Sequence, residues 1–382
     1  MKRSTGTYAT STTLGEPVRA FVPHPLPPAE PPLAAASFAD LNRQAELALA
    51  RLSGVSGLVP SVDWLLYSAV RKEALLTSQI EGTQATLTDL FDEEAGFKVS
   101  NTDDVAEVSN YLRAFRLVQD QLRDPKGLPI SVRLLCDAHQ LLLDGARGAG
   151  KQPGELRHSQ NWIGGTRPGN AVFVPPPPER VPELLSNLER FIHDTKDDLP
   201  ALVKIALVHA QFETIHPFLD GNGRIGRLLI AALLEHWSML AEPLMYLSGY
   251  LKQHQAEYYR RLSVIRTVGD WESWVSFFLE GVAVSAAQAE QSIIAVASLI
   301  AADRRKLLQS PKASPASYRL FELLPMMPRF TVERVRQQLQ TTFPTANAAV
   351  QMLEQLGIVV EVTGQKKNRS YSYQAYVDLL TQ

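Results

Sequence analysis

Residues 200–237 confine what this chain can become. Leu202, Ile205, Ala206, His209 and Phe212 recur at helical spacing. Downstream, Leu228, Leu229, Ile230, Leu233, Leu234 and Trp237 are apolar nearly all round, as a helix inside a core must be. Between them lies Thr214-Ile215-His216-Pro217-Phe218-Leu219-Asp220-Gly221-Asn222-Gly223-Arg224-Ile225-Gly226-Arg227. Pro217 disfavours helical geometry at His216 and ends the first helix there. Two buried helices joined by a tight glycine-rich turn require a helical body around them.

The rest of the 382 residues supplies that body. Helical patterns run over 38–52, 62–80, 103–123, 130–145 and 178–195, and no alternating strand pattern matches them in length, so the body is all-α. Residues 1–38 carry the prolines 23, 25, 27, 28, 31 and 32 and read as an extended arm. Residues 161–175, short apolar pieces around Gly164-Gly165 and Pro168-Gly169-Asn170, read as a β-hairpin or as a surface loop. After Ala302, a linker over 303–315 leads to three short helices (316–323, 331–340, 345–356). Two β-like pieces, 358–362 and 370–373, then flank a basic turn containing Lys366, Lys367 and Arg369. That order is the order of a winged helix-turn-helix over 316–382.

The glycine-rich turn points to an anion. A loop opening a helix presents free backbone N–H groups at the positive end of the helix dipole, which suits phosphate. Arg224 and Arg227 are three apart and share a side of the first turn, where cations oppose the dipole unless an anionic ligand offsets the cost. Asp220, a carboxylate beside bound phosphates, is placed to hold Mg²⁺. His216 can take a proton near neutral pH. Singly, His216 and Asp220 could be helix caps and the arginines solvated charges. Together within twelve residues, they read as a site.

Composition excludes several alternatives. Thirty-eight Lys+Arg against 40 Asp+Glu give a net charge of -2, so any nucleic-acid contact is local. The single Cys136 excludes an intrachain disulfide and a cysteine zinc cluster, and fits a reducing compartment. The most apolar stretch, 293–302, is short of a membrane span and no signal-peptide region follows Lys2 and Arg3, so a cytoplasmic protein without a membrane partner is expected. No His-Glu-x-x-His occurs, which excludes that metalloprotease motif.

His216 through Arg227 resembles the signature of the Fic (filamentation induced by cAMP) family, His-Pro-Phe-x-Asp-Gly-Asn-Gly-Arg-x-x-Arg, with every fixed position present. The layout is similar to the protein adenylyltransferases with an N-terminal inhibitory helix and a C-terminal winged helix. The resemblance implies a Fic helical domain over 39–302, with inhibitory helix 62–82, flap 161–175 and catalytic loop 216–227. It implies transfer of AMP from ATP to a Ser, Thr or Tyr hydroxyl of a target protein or of the chain itself. His216 would be the general base and Asp220 the Mg²⁺ ligand. Gly221, Asn222, Gly223, Arg224, Ile225, Gly226 and Arg227 would form the nucleotide-binding loop. The target would add to the flap as a strand, and Tyr258 would contact the nucleoside. Homodimers are common among similar proteins.

One glutamate poses a separate problem. Gly82 is a natural helix-terminating glycine, which puts Glu81 in the last turn, facing the negative end of the dipole at a cost of about 0.3–1 kcal/mol. A cationic partner would remove that cost. Thr77-x-x-x-Glu81-Gly82 is similar to the family's inhibitory motif, which implies that Glu81 pairs with Arg227, with Thr77 bracing it, and represses the enzyme. In some relatives the same glutamate supports AMP removal. A reading of a different class is a nucleotide-sensing, DNA-binding regulator. It is disfavoured because 345–355, the recognition-helix position, has no Lys or Arg. Residues 312–382 hold eight basic and five acidic residues, so protein contact suits them as well.

Overall fold

The computed structural model describes residues 3–145, 150–196, 198–365, 367 and 369–381. The chain opens with two strands, β1 (Gly6–Thr13) and β2 (Glu16–Pro23), paired antiparallel from Gly6↔Pro23 to Thr13↔Glu16. This corrects the extended arm expected over 1–38. The proline-rich run begins only with Pro23 at the end of β2, whose Val18, Ala20, Phe21 and Val22 are buried. Leu14 and Gly15, both at positive φ, make the two-residue turn that suits the twist of a hairpin.

The helical body follows: α1 (Ala39–Val55), α2 (Val62–Ile80), α3 (Leu87–Glu94), α4 (Thr102–Arg123), α5 (Val132–Leu142), α6 (Val181–His193), α7 (Ala201–Ile215) and α8 (Asn222–His236). Helix α7 is the axis of this body, with every residue from Leu202 to Ile215 buried. It packs against α6, α8 and, later in the chain, α10 (Gln255–Val268) and α11 (Trp271–Gln309); α9 (Leu247–Gln253) lies against α2. The α7–α8 approach depends on Gly226, where an added Cβ would stand 2.4 Å from the Glu213 Oε1 and 3.2 Å from the Phe212 ring.

Helix α11, 39 residues long, was not anticipated. Among the described residues it is the one helix long and apolar enough to cross a membrane by length and composition, a property the sequence reading did not find. Here α1 lies along it, and its Trp274 indole N–H donates to the Ala206 carbonyl of α7 at 2.8 Å. It continues unbroken to Gln309, so the linker expected over 303–315 shrinks to 310–314.

The C-terminal segment contains α12 (Pro315–Leu323), β3 (Arg329–Thr331), α13 (Val332–Leu339), α14 (Phe343–Gln355), β4 (Val360–Glu361), β5 (Ser370–Ser372) and α15 (Gln374–Thr381). Its antiparallel sheet has the order β3-β5-β4. The helices and the strand pair appear where expected, while β3 and α15 were missed: three residues are too few to show alternation, and α15 follows a strand without a cap signal. Lys366 lies outside the described residues. The segment is pinned to the body by Arg329, whose guanidinium grips Asp92 of α3 at 2.7 and 2.9 Å, and by the Tyr376 hydroxyl, which donates to the Trp64 carbonyl of α2 at 3.4 Å.

Candidate active site

Helix α7 ends at Ile215, and His216 turns into the left-handed region (φ 50°, ψ 63°) with its N–H on the Phe212 carbonyl at 2.9 Å. For a residue other than glycine this costs roughly 1–2 kcal/mol, and the surroundings hold it there. Arg157, 1% exposed, donates through Nε to the His216 carbonyl at 2.8 Å and through a terminal nitrogen to the Pro176 carbonyl at 2.5 Å. Its own N–H bonds the Pro217 carbonyl at 2.9 Å. Burial lowers its pKa to about 10, so it stays a cation at neutral pH.

Two further side chains fix the rest of the turn. Asn222 brackets Phe218, accepting its N–H at 2.9 Å and donating to its carbonyl at 2.8 Å. The Asn222 side chain is thus buried and spent on the loop itself, which leaves its backbone N–H for the phosphate role expected of it. His139 of α5 stacks on the Phe218 ring at 3.9 Å. Its Nδ1 accepts the Gly154 N–H at 2.9 Å, so Nε2 carries the proton and donates to the Asp220 carbonyl at 3.0 Å. Burial lowers its pKa to about 4, so it is neutral. Arg157 and His139 lie roughly 60 and 80 residues from the turn, and nothing in the sequence marked them.

The turn delivers α8 with its N-terminus open. The first intrahelical bond is Ile225 N–H to the Gly221 carbonyl at 3.0 Å, which leaves the N–H groups of 222–224 without an intrahelical acceptor. Beyond that first turn the helix faces elsewhere. Ile225 is fully buried, and the Gly226 carbonyl is bonded to His209 Nδ1 at 3.0 Å. Both belong to the α7–α8 packing, which corrects their assignment as nucleotide contacts. Asp220, Gly221 and Arg224 face α4 and α5: the Arg224 guanidinium lies 3.4 Å from Glu107 and 3.8 Å from Asp220, with Nε unpartnered. Both arginines are buried, which excludes the solvated-charge reading.

Arg227 points the other way, toward α2. Its Nε donates to the Thr77 hydroxyl at 2.6 Å, and a terminal nitrogen reaches the Thr77 carbonyl at 3.1 Å and Glu81 Oε1 at 2.5 Å. Burial alone would depress the Arg227 pKa, but Glu81, with Tyr258 and Glu213 behind it, holds it above the ordinary arginine value. Thr77 thus braces the arginine rather than the glutamate. Gly82, at φ 101°, turns the chain away directly afterwards. Gly223 sits beneath the pair: a Cβ there would meet Glu81 Oε1 at 2.4 Å and Arg227 at 3.0 Å.

Glu81, Gly223, Arg227 and His216 share a cleft of about 680 Å³ with the flap, α10 and the N-terminal hairpin. His216 Nδ1 has no hydrogen bond of normal geometry, although the Glu213 carbonyl is near enough to favour the protonated ring. Burial, helped by Arg266 and Arg157, lowers its pKa to about 3, so the resting imidazole is neutral. One turn earlier, Glu213 lines the same cleft with Oε1 unpartnered; burial raises it to about 7 against the pull of Arg227. The sequence reading missed Glu213. Tyr258 is 1% exposed and its hydroxyl is bonded to His209 Nε2 at 2.9 Å, so its polar end is not available to a nucleoside. Tyr259, 47% exposed, is the aromatic that opens onto the cleft.

The expected flap is present in reduced form. One antiparallel bridge, Ile163↔Phe173, joins its arms around a 3₁₀ turn at Pro168–Asn170. Among the described residues no three His, Cys, Asp or Glu side chains converge as a metal site. The half-exposed Asp220 carboxylate fits Mg²⁺ where phosphate oxygens and water complete the shell, as this hard cation prefers.

Two family models match the chain: Fic/DOC family N-terminal over residues 39–120 and Fic/DOC family over 129–234. A probable protein adenylyltransferase of Aquifex aeolicus is 44% identical over 64 residues, covering 17% of this chain and 20% of that protein. Protein adenylyltransferase Fic of Aedes aegypti is 34% identical over 133 residues, covering 33% and 23%. The chain therefore spans less than a quarter of these relatives' length. Among solved structures, a Fic family protein from Desulfovibrio desulfuricans G20 superposes with a TM-score of 0.58 at 22% identity, covering 90% of this chain and 97% of that one. Fic-1 from C. elegans gives 0.51 at 22%, covering 68% and 72%.

Proposed function

Because this chain belongs to the Fic/DOC family, we propose that it is a protein adenylyltransferase, held in check by its own α2. The reading rests on one observation: an open helix N-terminus shares a turn with an imidazole whose Nδ1 has no hydrogen bond of normal geometry, and a glutamate at the end of α2 occupies the arginine beside it. ATP would lie with its phosphates on the N–H groups of 222–224, between Arg224 and Arg227, where donors fixed in advance stabilise developing charge. Mg²⁺ held by Asp220 would neutralise phosphate charge. A target Ser, Thr or Tyr hydroxyl gives its proton to His216 as its oxygen bonds to the α-phosphorus. The bond from the α-phosphorus to the bridging oxygen breaks, and pyrophosphate leaves.

The Glu81–Arg227 pair fills the place a γ-phosphate would take, so binding in the productive pose requires the pair to open. The target adds to the flap as an extended strand. Residues 316–382 read as a winged helix used for protein contact, since α14 carries no Lys or Arg. The test is mass spectrometry of the Glu81→Gly protein after incubation with ATP and Mg²⁺, alone and with cell lysate. A gain of one adenylyl group, absent when His216 is also Ala, supports the reading; no gain in any sample rejects it.

A further inference from the structure

The N-terminal hairpin belongs to the cleft, although neither family model reaches it. Its β2 lies against the return arm of the flap: the Phe21 N–H donates to the Val174 carbonyl at 2.9 Å, and the Phe21 and Phe173 rings lie 6.4 Å apart. At the flap tip the Glu16 carboxylate accepts from Arg167 and from the Gly169 N–H, each at 2.8 Å. A Cβ at Gly169 would stand 2.2 Å from Glu16 Oε2, so a side chain there would force the two apart. The hairpin is strapped to the body as well. Arg3 grips Glu272 at 2.8 and 3.0 Å, the Thr5 hydroxyl donates to the Ile265 carbonyl at 2.9 Å, and Gln211 of α7 donates to the His24 carbonyl at 2.8 Å. It is a fixed wall, not a tail.

That placement dictates where a strand can add. The return arm is covered by β2, and Ile163 spends its N–H and carbonyl on the return arm, so among the described residues the outer edge at Trp162 and Gly164 is the unpaired one. On the hairpin, Tyr8 and Arg19 line the cleft, with the Arg19 guanidinium 4.4 Å over the exposed Tyr8 ring. The other cations of the cleft are spent. Arg227 serves Glu81 and Thr77, while Arg266 serves Thr214, the Glu213 carbonyl and the Phe173 ring. Arg19 makes no ion pair among the described residues. It stands about two strand spacings from the edge arm and three, ~14 Å, from a strand added there. Its guanidinium and an incoming long side chain can close that distance together.

We propose that this hairpin reads the target: Arg19, held flat on Tyr8, selects an acidic side chain beside the hydroxyl to be modified. A guanidinium stacked on a ring keeps its N–H edge free for a carboxylate, which it binds through charge-assisted hydrogen bonds. The inference rests on the adenylyltransferase reading, and the test separates the two.

Full-length Glu81→Gly protein, with and without Arg19→Glu, is given ATP, Mg²⁺ and two synthetic peptides. Each peptide has one central Thr, flanked by Asp and Glu in one and by Lys in the other, and AMP transfer is followed by mass spectrometry. The acid-flanked peptide should be modified about tenfold faster, and Arg19→Glu should invert the order. The gain on the Lys-flanked peptide shows that the variant is folded and active. Equal rates, a preference that survives Arg19→Glu, labelling of the chain itself with no labelling of either peptide, or a loss of ATP affinity in Arg19→Glu overturns the inference. Absence of any AMP transfer, to peptide or chain, instead rejects the adenylyltransferase reading and the inference with it.

Discussion

Replacing Glu81 by Gly removes one half of a pair whose other half, Arg227, is 2% exposed at its side chain. The Glu81 side chain is 35% exposed, so the pair sits between a surface bridge worth about 0–1 kcal/mol and a buried one costing about 3–5 kcal/mol to break. A charge-assisted hydrogen bond of about 1.5–3 kcal/mol is the matching intermediate value. Two consequences have opposite signs. Stability falls by part of that amount, because Arg227 keeps Thr77 as a partner; each kcal/mol lowers Tm by roughly 2–4 °C in a chain of this class. The barrier to productive ATP binding falls by the same interaction, which at about 1.4 kcal/mol per decade is a roughly 10- to 150-fold faster AMP transfer. Glu81→Gln, which keeps a hydrogen bond but not the charge, should lie between. The assay is initial-rate AMP incorporation beside a thermal melt with and without ATP. ATP should return the lost Tm in the variant more than it raises Tm in the unchanged chain. Equal transfer rates in all three proteins would refute the latch, whatever the melts show.

Arg157→Ala should lower kcat by about 100-fold, because it frees the strained His216 backbone and the flap base together, and a misplacement of about 1 Å carries that cost; Arg157→Lys should not restore it, since one ammonium cannot reach both carbonyls. Gly226→Ala should destabilise by about 1–3 kcal/mol through overpacking against Glu213 and Phe212, read as a lower denaturation midpoint. Glu213 has a folded pKa raised to about 7 against an ordinary 4.5, so its contribution is intact below about 4.5 and is lost as pH rises through 7. Glu213→Gln should therefore raise Tm at pH 8 and leave it unchanged at pH 4. His216 and His209 are lowered to about 3 and His139 to about 4, so their contribution is present above about 6.5 and is lost as pH falls toward those values. The acid limb of AMP transfer should accordingly lie well below the usual histidine range, and a limb at 6.5 would contradict the lowered pKa of His216.

The helical body was legible because long amphipathic or wholly apolar patterns are local: α2, α4, α7 and α8 fall within a few residues of their expected bounds. The Glu81–Arg227 pair was legible in two steps: a glutamate next to Gly82 faces the wrong end of its helix dipole and needs a partner, and the resemblance implied that the partner is Arg227. What could not be read is what the chain brings together across distance. Arg157, His139 and Glu213 act through contacts with the 216–227 turn or its cleft that no spacing encodes. The β1–β2 hairpin was hidden by the prolines that follow it, and its partner, the flap, holds itself together with one bridge. The nucleotide contacts expected of Ile225 and Gly226 failed because both positions face the α7–α8 packing. Sequence proximity to a phosphate turn does not say which way a side chain points, and in a helix the facing changes by about 100° at every residue.

A crystal structure of the Glu81→Gly protein with ATP and Mg²⁺ tests the central claim most directly. The phosphates should lie on the backbone N–H groups of 222–224 with Arg227 turned from Thr77 toward the terminal phosphate, and His216 should face the α-phosphorus from the flap side. A triphosphate bound elsewhere while that helix end stays bare, or an imidazole rotated into the core, would contradict the account.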